Sequence, residues 1–170
     1  MTTLTEGNLQ ITFPCGANVR KFDNKSHGLL RCMKAVDFVV EFTDRVSFIE
    51  IKDPEHPCAL SKDSKQFIKD FRNERLDNDL YYKFRDSFLD EWACDRTDKP
   101  IDYWILIASK KLTKVELGRR TDAMKSKLPM FEALPESLKK QWKQKIVANC
   151  GVFNICTWNK NFPNYPVKRI

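Results

Sequence analysis

Residues 36–53, VDFVVEFTDRVSFIEIKD, constrain the fold more than any other part of this sequence. Two short apolar runs flank a polar segment, which predicts two antiparallel β-strands joined by a tight turn. Charged side chains nevertheless interrupt these runs at Asp37, Glu50 and Lys52. Because side chains alternate between the two faces of a strand, the register of the hairpin decides whether these three residues lie together.

The two predicted strands span about residues 35–42 and 46–52, with the turn centred on Asp44-Arg45. This register places apolar residues opposite one another in two pairs, Phe38 with Ile51 and Val40 with Ile49. Burial of these pairs would hold the strands in register. The three charged residues then lie together on the other face, which we expect to point away from the helices. The prediction requires a turn without a bulge or a one-residue slip.

The remaining pattern predicts a mixed central β-sheet flanked by helices, in a single domain spanning residues 1–170. The predicted elements are a strand at 9–13, helices at 64–76 and 78–95, a buried strand at 102–109, helices at 113–128 and 133–151, and a strand at 152–158 before an irregular tail. Asn78 or Asp79 is the expected N-cap of the second helix. Its apolar stripe, which includes Leu89 and Trp92, is expected to be buried.

Charge and composition indicate a soluble protein with a basic C-terminal part. Residues 110–170 contain 14 Lys or Arg and four acidic residues, a charge of +10, whereas the other 109 residues carry the remaining −3 of the total +7. A basic region of this kind is compatible with a polyanion such as nucleic acid. No apolar run is long enough for a membrane span, and the N-terminus lacks the pattern of a secretory signal, so we expect a cytoplasmic protein.

Two carboxylates that converge in a partly buried site repel each other unless a cation lies between them. Oxygen ligands in this arrangement suit Mg²⁺, or Mn²⁺ in its place, with a substrate phosphate and water completing the shell. We therefore predict that Asp37 and Glu50 hold a metal ion, with the backbone carbonyl of Ile51 as a further oxygen ligand. Lys52 would stabilise an attacking hydroxide or the charge on the phosphate.

These residues resemble the active-site motif of the PD-(D/E)XK nuclease superfamily, with Asp37 as the first acid and Glu50-Ile51-Lys52 as E-X-K. The resemblance implies a restriction-endonuclease-like core and Mg²⁺-dependent hydrolysis of phosphodiester bonds, usually of DNA. It also implies that polar residues on the following helix, Lys83 and Arg85, contact phosphate. The sequence departs from the motif at Val36, where the superfamily nominally has Pro. No N-terminal core helix can be identified.

Two alternatives remain open at the level of sequence. Asp37, Glu50 and Lys52 can form a solvated hairpin face with a weak ion pair. The same fold can also act as an inactive module that binds nucleic acid or a protein partner. Basic residues at Lys139, Lys140 and Lys143 are candidates for nucleic-acid backbone contacts, or for a solvated surface. A homodimer or a partner subunit is compatible with the sequence.

Overall fold

A five-stranded mixed β-sheet lies at the centre of the protein, whose computed structural model describes residues 1–23 and 33–170. The strands are β1 (Thr2–Glu6), β2 (Leu9–Phe13), β3 (Asn18–Lys21), β4 (Phe38–Glu41), β5 (Val46–Lys52), β6 (Ile101–Ile107), β7 (Val147–Phe153) and β8 (Val167–Arg169). The α-helices are α1 (Ser61–Arg72), α2 (Asp77–Ala93), α3 (Lys114–Lys127), α4 (Glu136–Lys139) and α5 (Ile155–Asn161). A 3-10 helix spans Phe131–Ala133.

The main sheet has the strand order β3-β4-β5-β6-β7. Strand β4 is antiparallel to both of its neighbours, β3 and β5, whereas β5, β6 and β7 are parallel to one another. A small antiparallel sheet has the order β1-β2-β8. The predicted mixed α/β architecture with helices flanking a central sheet is therefore confirmed.

The main sheet is buried on both faces by different layers. We call the face covered by α1, α2 and α3 the helix face; its core includes Phe48, Phe84 and Tyr103. The opposite face is covered by the small sheet and α5, and its core includes Phe38, Ile49 and Trp158. Strand β6 is apolar at nearly every position because its alternating side chains enter both cores.

The predicted hairpin register is wrong by two residues. Phe38 lies opposite Ile49, and Val39 lies opposite Phe48. The hairpin closes with a two-residue loop, and the N–H of Phe42 donates to the carbonyl of Arg45 at 2.8 Å. Because the shift is even, each side chain keeps its predicted face, and the three charged residues still fall on one side of β5 and the start of β4.

The prediction that this charged face points away from the helices is also wrong. Glu50 lies beside Ile105 of β6 on the helix face, directly under α2. Alternation predicts which side chains share a face, but not which layer covers that face. The second apolar face is covered by the small sheet, whose strands β1 and β8 were not predicted.

The C-terminal third differs most from the sequence prediction. A helix was expected at residues 133–151, but only Glu136–Lys139 is α-helical, and Val147–Phe153 forms β7 alongside β6. The expected strand at 152–158 is instead largely helix α5, which begins where Asn154 and Thr157 form a capping box. Pairing with a buried parallel strand overrides the helical spacing of the preceding apolar residues.

Helix α2 is confirmed as an element, with corrections to its start and its buried face. It begins at Asp77, one residue before the predicted N-cap positions. Leu89 is 46% exposed and Trp92 60% exposed. The prediction that both residues are buried is therefore wrong. None of the helices in residues 1–23 and 33–170 is long and apolar enough to cross a bilayer.

Replacement of Trp158 by Ala should destabilise the protein by about 3–5 kcal/mol, because it opens a cavity in a site with no solvent exposure. The change also removes the indole N–H that donates to the Tyr165 carbonyl at 3.0 Å. Urea unfolding followed by circular dichroism measures the loss. Trp92→Ala is the matched control and should cost less than about 1 kcal/mol; equal losses for both variants would contradict the assigned burial.

Candidate active site

Glu50 occupies a central position in β5 and has no solvent exposure. Its strand is hydrogen-bonded to β4 on one side and to β6 on the other. Its side chain points into the helix-face core, where Ile105 is its neighbour on β6. A carboxylate in such surroundings loses most of its hydration, so it requires compensating cations or a proton.

Asp37 directly precedes β4 and is only 5% exposed. Its Oδ2 accepts a hydrogen bond of 2.5 Å from the backbone N–H of Ile51, which lies between Glu50 and Lys52. Ile51 lies beyond the last residue pair of the β4–β5 ladder, so its N–H can be satisfied by this side chain. The contact fixes Asp37 against the strand that carries the second acid.

Helix α2 positions the chain segment that leads into Asp37. The Ser87 hydroxyl accepts the N–H of Val36 at 3.0 Å, and the Asp86 carboxylate accepts the N–H of Lys34 at 2.9 Å. Ser87 and Asp86 are both buried. These bonds give otherwise unpaired backbone N–H groups a partner and align the entry to β4 with α2.

Two lysines contact Glu50. The Nζ atom of Lys83, on α2, lies 2.8 Å from Glu50 Oε1 and 3.9 Å from Asp37 Oδ1. The Nζ atom of Lys52 lies 2.9 Å from the same Glu50 oxygen. Lys83 thus bridges the two acids. Because its Nζ atom is close to both Glu50 Oε1 and Asp37 Oδ1, these two oxygens must also lie near each other. We call Asp37, Glu50, Lys52 and Lys83 the polar quartet.

The second oxygen of Glu50 has no partner within residues 1–23 and 33–170. Oε2 is buried and accepts no hydrogen bond from any residue that the structure describes. An unpaired buried carboxylate oxygen costs free energy comparable to the desolvation of a polar group. Glu50 Oε2 is therefore available to bind a cation or to accept a hydrogen bond from a further donor.

Burial and mutual repulsion raise the pKa values of both acids. Desolvation, followed by the charge of Glu50, raises the pKa of Asp37 to about 7. Desolvation also raises the pKa of Glu50, and the two lysines offset only part of it. Burial acts to lower the pKa of Lys52, but the charges of Glu50 and Asp37 outweigh it and the pKa is raised. A further positive charge beside Asp37 and Glu50 would therefore stabilise their ionised forms.

The residues of the polar quartet fit a Mg²⁺ site of the kind that is completed by substrate. Mg²⁺ is usually bound by one or two carboxylates, with water and phosphate oxygens in the remaining positions. Asp37 and Glu50 supply the two carboxylates, and the unpaired Oε2 of Glu50 is an available oxygen. Within the described residues there is no group of three or more His, Cys, Asp or Glu side chains suited to a metal. A metal here would therefore depend on substrate oxygens and on the Ile51 carbonyl.

The other predicted site residues lie in two different places. Arg85 points away from the quartet: its guanidinium pairs with Asp86 at 2.7 Å and lies 4.7 Å from the centre of the Tyr82 ring. Three predicted nucleic-acid-binding residues precede β7, namely Lys139, Lys140 and Lys143. Since β7 is parallel to β5, these lysines lie near the amino ends of the parallel strands, whereas Lys52 lies at the carboxyl end of β5. The structure does not bring them to the quartet.

Sequence reasoning missed the supporting roles of Asp86 and Ser87. A signal was present, because α2 carries polar residues at Asp79, Lys83, Asp86 and Ser87, which recur at helical spacing along one side of the helix. The ion pair between Asp79 and Lys34 belongs to the same side of α2. Polar residues at helical spacing beside a strand that begins with an acid indicate a common site.

Comparisons with protein-family models, curated proteins and solved structures find no match for this chain. The distinguishing features of the site are two adjacent buried carboxylates, two lysines on one oxygen and an unpaired second oxygen.

Asp37→Asn should stabilise the metal-free protein above neutral pH. Because the folded-state pKa of Asp37 is raised to about 7, the stability that its protonated form provides is complete below its unfolded pKa and is lost as the pH rises towards 7. The stability of the variant does not fall in this way, so its free energy of unfolding should exceed that of the wild type by roughly 2–4 kcal/mol at high pH. The measurement is urea unfolding in EDTA at a series of pH values from below the unfolded pKa of Asp37 to above pH 7.

Asp122→Asn, at an exposed position of α3, is the matched control for the removal of one negative charge. It should follow the wild-type pH dependence. A wild-type stability that rises between about pH 4 and pH 7 relative to Asp37→Asn would contradict the raised pKa of Asp37.

Proposed function

We propose that this protein is a Mg²⁺-dependent nuclease that hydrolyses phosphodiester bonds, with DNA as the preferred substrate. The observation that carries the proposal is the polar quartet: Asp37 and Glu50 are buried side by side, and Lys52 lies two positions after Glu50 on the same strand. This is the residue set that the PD-(D/E)XK motif requires. A solvated hairpin face does not account for a Glu50 with no solvent exposure.

The order of elements supports a restriction-endonuclease-like core. Asp37 lies at the start of the second strand of the main sheet and Glu50-Ile51-Lys52 in the third, and these strands are antiparallel. Helices α1 and α2 follow, and then the apolar strand β6 returns parallel to β5. The second helix after the motif, α2, places Lys83 beside both acids, where a phosphate bound at the site would also be within its reach.

The side chains of the polar quartet have different roles in the proposed reaction. The carboxylates of Asp37 and Glu50, with the Ile51 carbonyl, would hold Mg²⁺, for which Mn²⁺ can substitute. A metal ion at this position polarises the phosphate and lowers the pKa of water. Lys52, the most exposed member of the quartet at 29% of its side chain, is placed to orient water and to stabilise the negative charge that develops on the phosphate.

The second candidate is a non-catalytic module on the same fold that binds a protein partner. One observation favours it: Tyr82, Leu89 and Trp92 form an exposed stripe on the outer side of α2. Exposed apolar surface of this kind marks interaction sites in soluble proteins. Catalysis and partner binding use different sides of α2, so the stripe is compatible with either function.

Asp37→Ala, Glu50→Ala and Lys52→Ala should each lower the rate of cleavage by at least about 100-fold, because each removes a metal ligand or the charge on the reacting phosphate. Plasmid, linear and branched DNA, and RNA, are incubated with Mg²⁺, with Mn²⁺ and with EDTA, and the products are separated by electrophoresis. Circular dichroism confirms that every variant is folded.

Lys65→Ala, at an exposed position of α1, is the control for loss of a lysine and should cleave as the wild type does. If the wild type leaves all four substrates intact in both metals, the nuclease proposal fails. Retained nucleic-acid binding in Asp37→Ala, with no cleavage by the wild type, would favour the non-catalytic module.

Lys83→Met should reduce the Mg²⁺ concentration needed for half-maximal cleavage by about fivefold, because it removes a positive charge that neutralises Glu50 and repels a metal beside it. Titration of the cleavage rate with Mg²⁺ measures the change, with Lys65→Met as control. An unchanged metal requirement together with a raised KM for DNA would instead assign Lys83 to phosphate binding.

A further inference from the structure

A cavity of about 470 Å³ opens at the carboxyl ends of the three parallel strands. Its walls are formed by residues that follow these strands: Glu55 after β5, Ala108 to Lys110 after β6, and Asn154 to Cys156 after β7. The crevice outside the carboxyl ends of parallel strands is where open α/β sheets bind ligands. Its volume is within the range of roughly 300–1,000 Å³ typical of small-ligand pockets.

The cavity combines apolar walls with one oriented acceptor. Ile155 and the exposed Cys156 provide accessible apolar side chains in the wall, whereas Ala108 is buried behind it. The Ser109 hydroxyl and the backbone N–H of Lys110 donate to Glu55 Oε1 at 2.7 and 3.0 Å, which fixes this carboxylate against the loop after β6. The other oxygen of Glu55 accepts no hydrogen bond from the described residues, so it is available to an N–H donor of a ligand.

Lys110 is the cation of the cavity that is available for an anion. Its ammonium group is exposed and forms no ion pair with any residue in the described ranges. Arg169 also lines the cavity, but it is held by Asp53 at 2.7 and 2.9 Å and by the Ala108 carbonyl at 3.2 Å. Arg169 therefore builds the wall, whereas Lys110 can pair with a phosphate.

These features together select a ligand with a flat apolar body, N–H donors and one phosphate. A nucleotide has this combination, since its base can pack on Ile155 and Cys156 and donate to Glu55 while its phosphate reaches Lys110. A bare phosphate would leave the apolar walls and the acceptor without partners, and a nucleoside would leave Lys110 unpaired.

The cavity lies next to the polar quartet, across the edge of the sheet. The Ala108 N–H donates to the Lys52 carbonyl at 2.8 Å, so one backbone hydrogen bond joins the cavity wall to the residue that completes the quartet. Lys52 faces the helices, whereas Ala108 belongs to the core on the opposite face. A nucleic-acid strand that crosses this edge would pass from one site to the other.

We propose that this cavity binds one nucleotide of the substrate strand, adjacent to the phosphate that is cleaved. The inference rests on the proposed nuclease function for the identity of the strand, whereas nucleotide binding itself rests on the cavity alone. It assigns base packing to Ile155 and Cys156, base hydrogen bonding to Glu55 and phosphate binding to Lys110.

Cys156 provides a direct test, because its exposed thiol lines the cavity. Alkylation by iodoacetamide is followed by tryptic mass spectrometry with EDTA present, so that no cleavage occurs. The tryptic peptide 146–160 contains Cys156 and the buried Cys150, which fragmentation distinguishes. Bound dAMP, or a short oligodeoxynucleotide, should slow alkylation of Cys156 in proportion to occupancy, whereas deoxyadenosine and inorganic phosphate should each be weaker at the same concentration.

Three exposed cysteines away from the cavity serve as internal controls, and their rates should not change: Cys15, Cys58 and Cys94. Lys110→Ala should raise the dAMP concentration for half-protection about tenfold, as expected for loss of one charge-assisted contact. Lys114→Ala, which removes an exposed lysine outside the cavity, should leave it unchanged.

The outcomes separate this inference from the nuclease proposal. If neither dAMP nor the oligonucleotide at millimolar concentration protects Cys156, the cavity proposal is overturned, even where cleavage requires Asp37. Equal slowing of all exposed cysteines would overturn it as well. If dAMP protects Cys156 selectively but no substrate is cleaved, nucleotide binding is supported and only the nuclease function falls.

Discussion

The burial of Glu50 beside Asp37 is the constraint on which the rest of the structure depends. Moving a carboxylate from water into a protein interior costs several kcal/mol unless cations and hydrogen bonds replace its hydration. Helix α2 meets this requirement by placing Lys83 against both acids, and the motif itself adds Lys52. The position of α2 over β5 serves this site and also buries Leu80 and Phe84 in the core of the helix face.

Other buried acids of the chain show how a purely structural carboxylate is treated. Both oxygens of Asp77 accept hydrogen bonds of 2.8 Å from Arg120, and both oxygens of Glu91 accept hydrogen bonds from Arg20 or Arg96. Planar guanidinium groups saturate a carboxylate in this way. Glu50 has ammonium groups on one oxygen and nothing described on the other. Unsatisfied buried oxygens are uncommon, and a bound ion or water is one of the arrangements that explains them.

The sequence predicted the parts of the fold that depend on local alternation and failed where long-range contacts decide. Strand β5 was predicted with its observed bounds, and the shared face of Asp37 and Glu50 survived a two-residue error in register because the error was even. The layer covering that face could not be predicted, since it depends on where the small sheet packs. The segment around Val147 has helical spacing, but the hydrogen bonds offered by β6 outweigh that preference.

The two faces of the main sheet also differ in the chain entropy that their formation costs. Contacts of the helix face join nearby segments, such as Lys83 to Asp37, whereas the other face requires β2 to pair with β8, with Leu9 opposite Arg169. Closing the longer loop costs about 1 kcal/mol more. Chain connectivity thus favours assembly of the layer that holds the polar quartet ahead of the layer that completes the second core. The slow, topologically demanding step of folding then brings Arg169 of β8 against Asp53, the residue that follows Lys52.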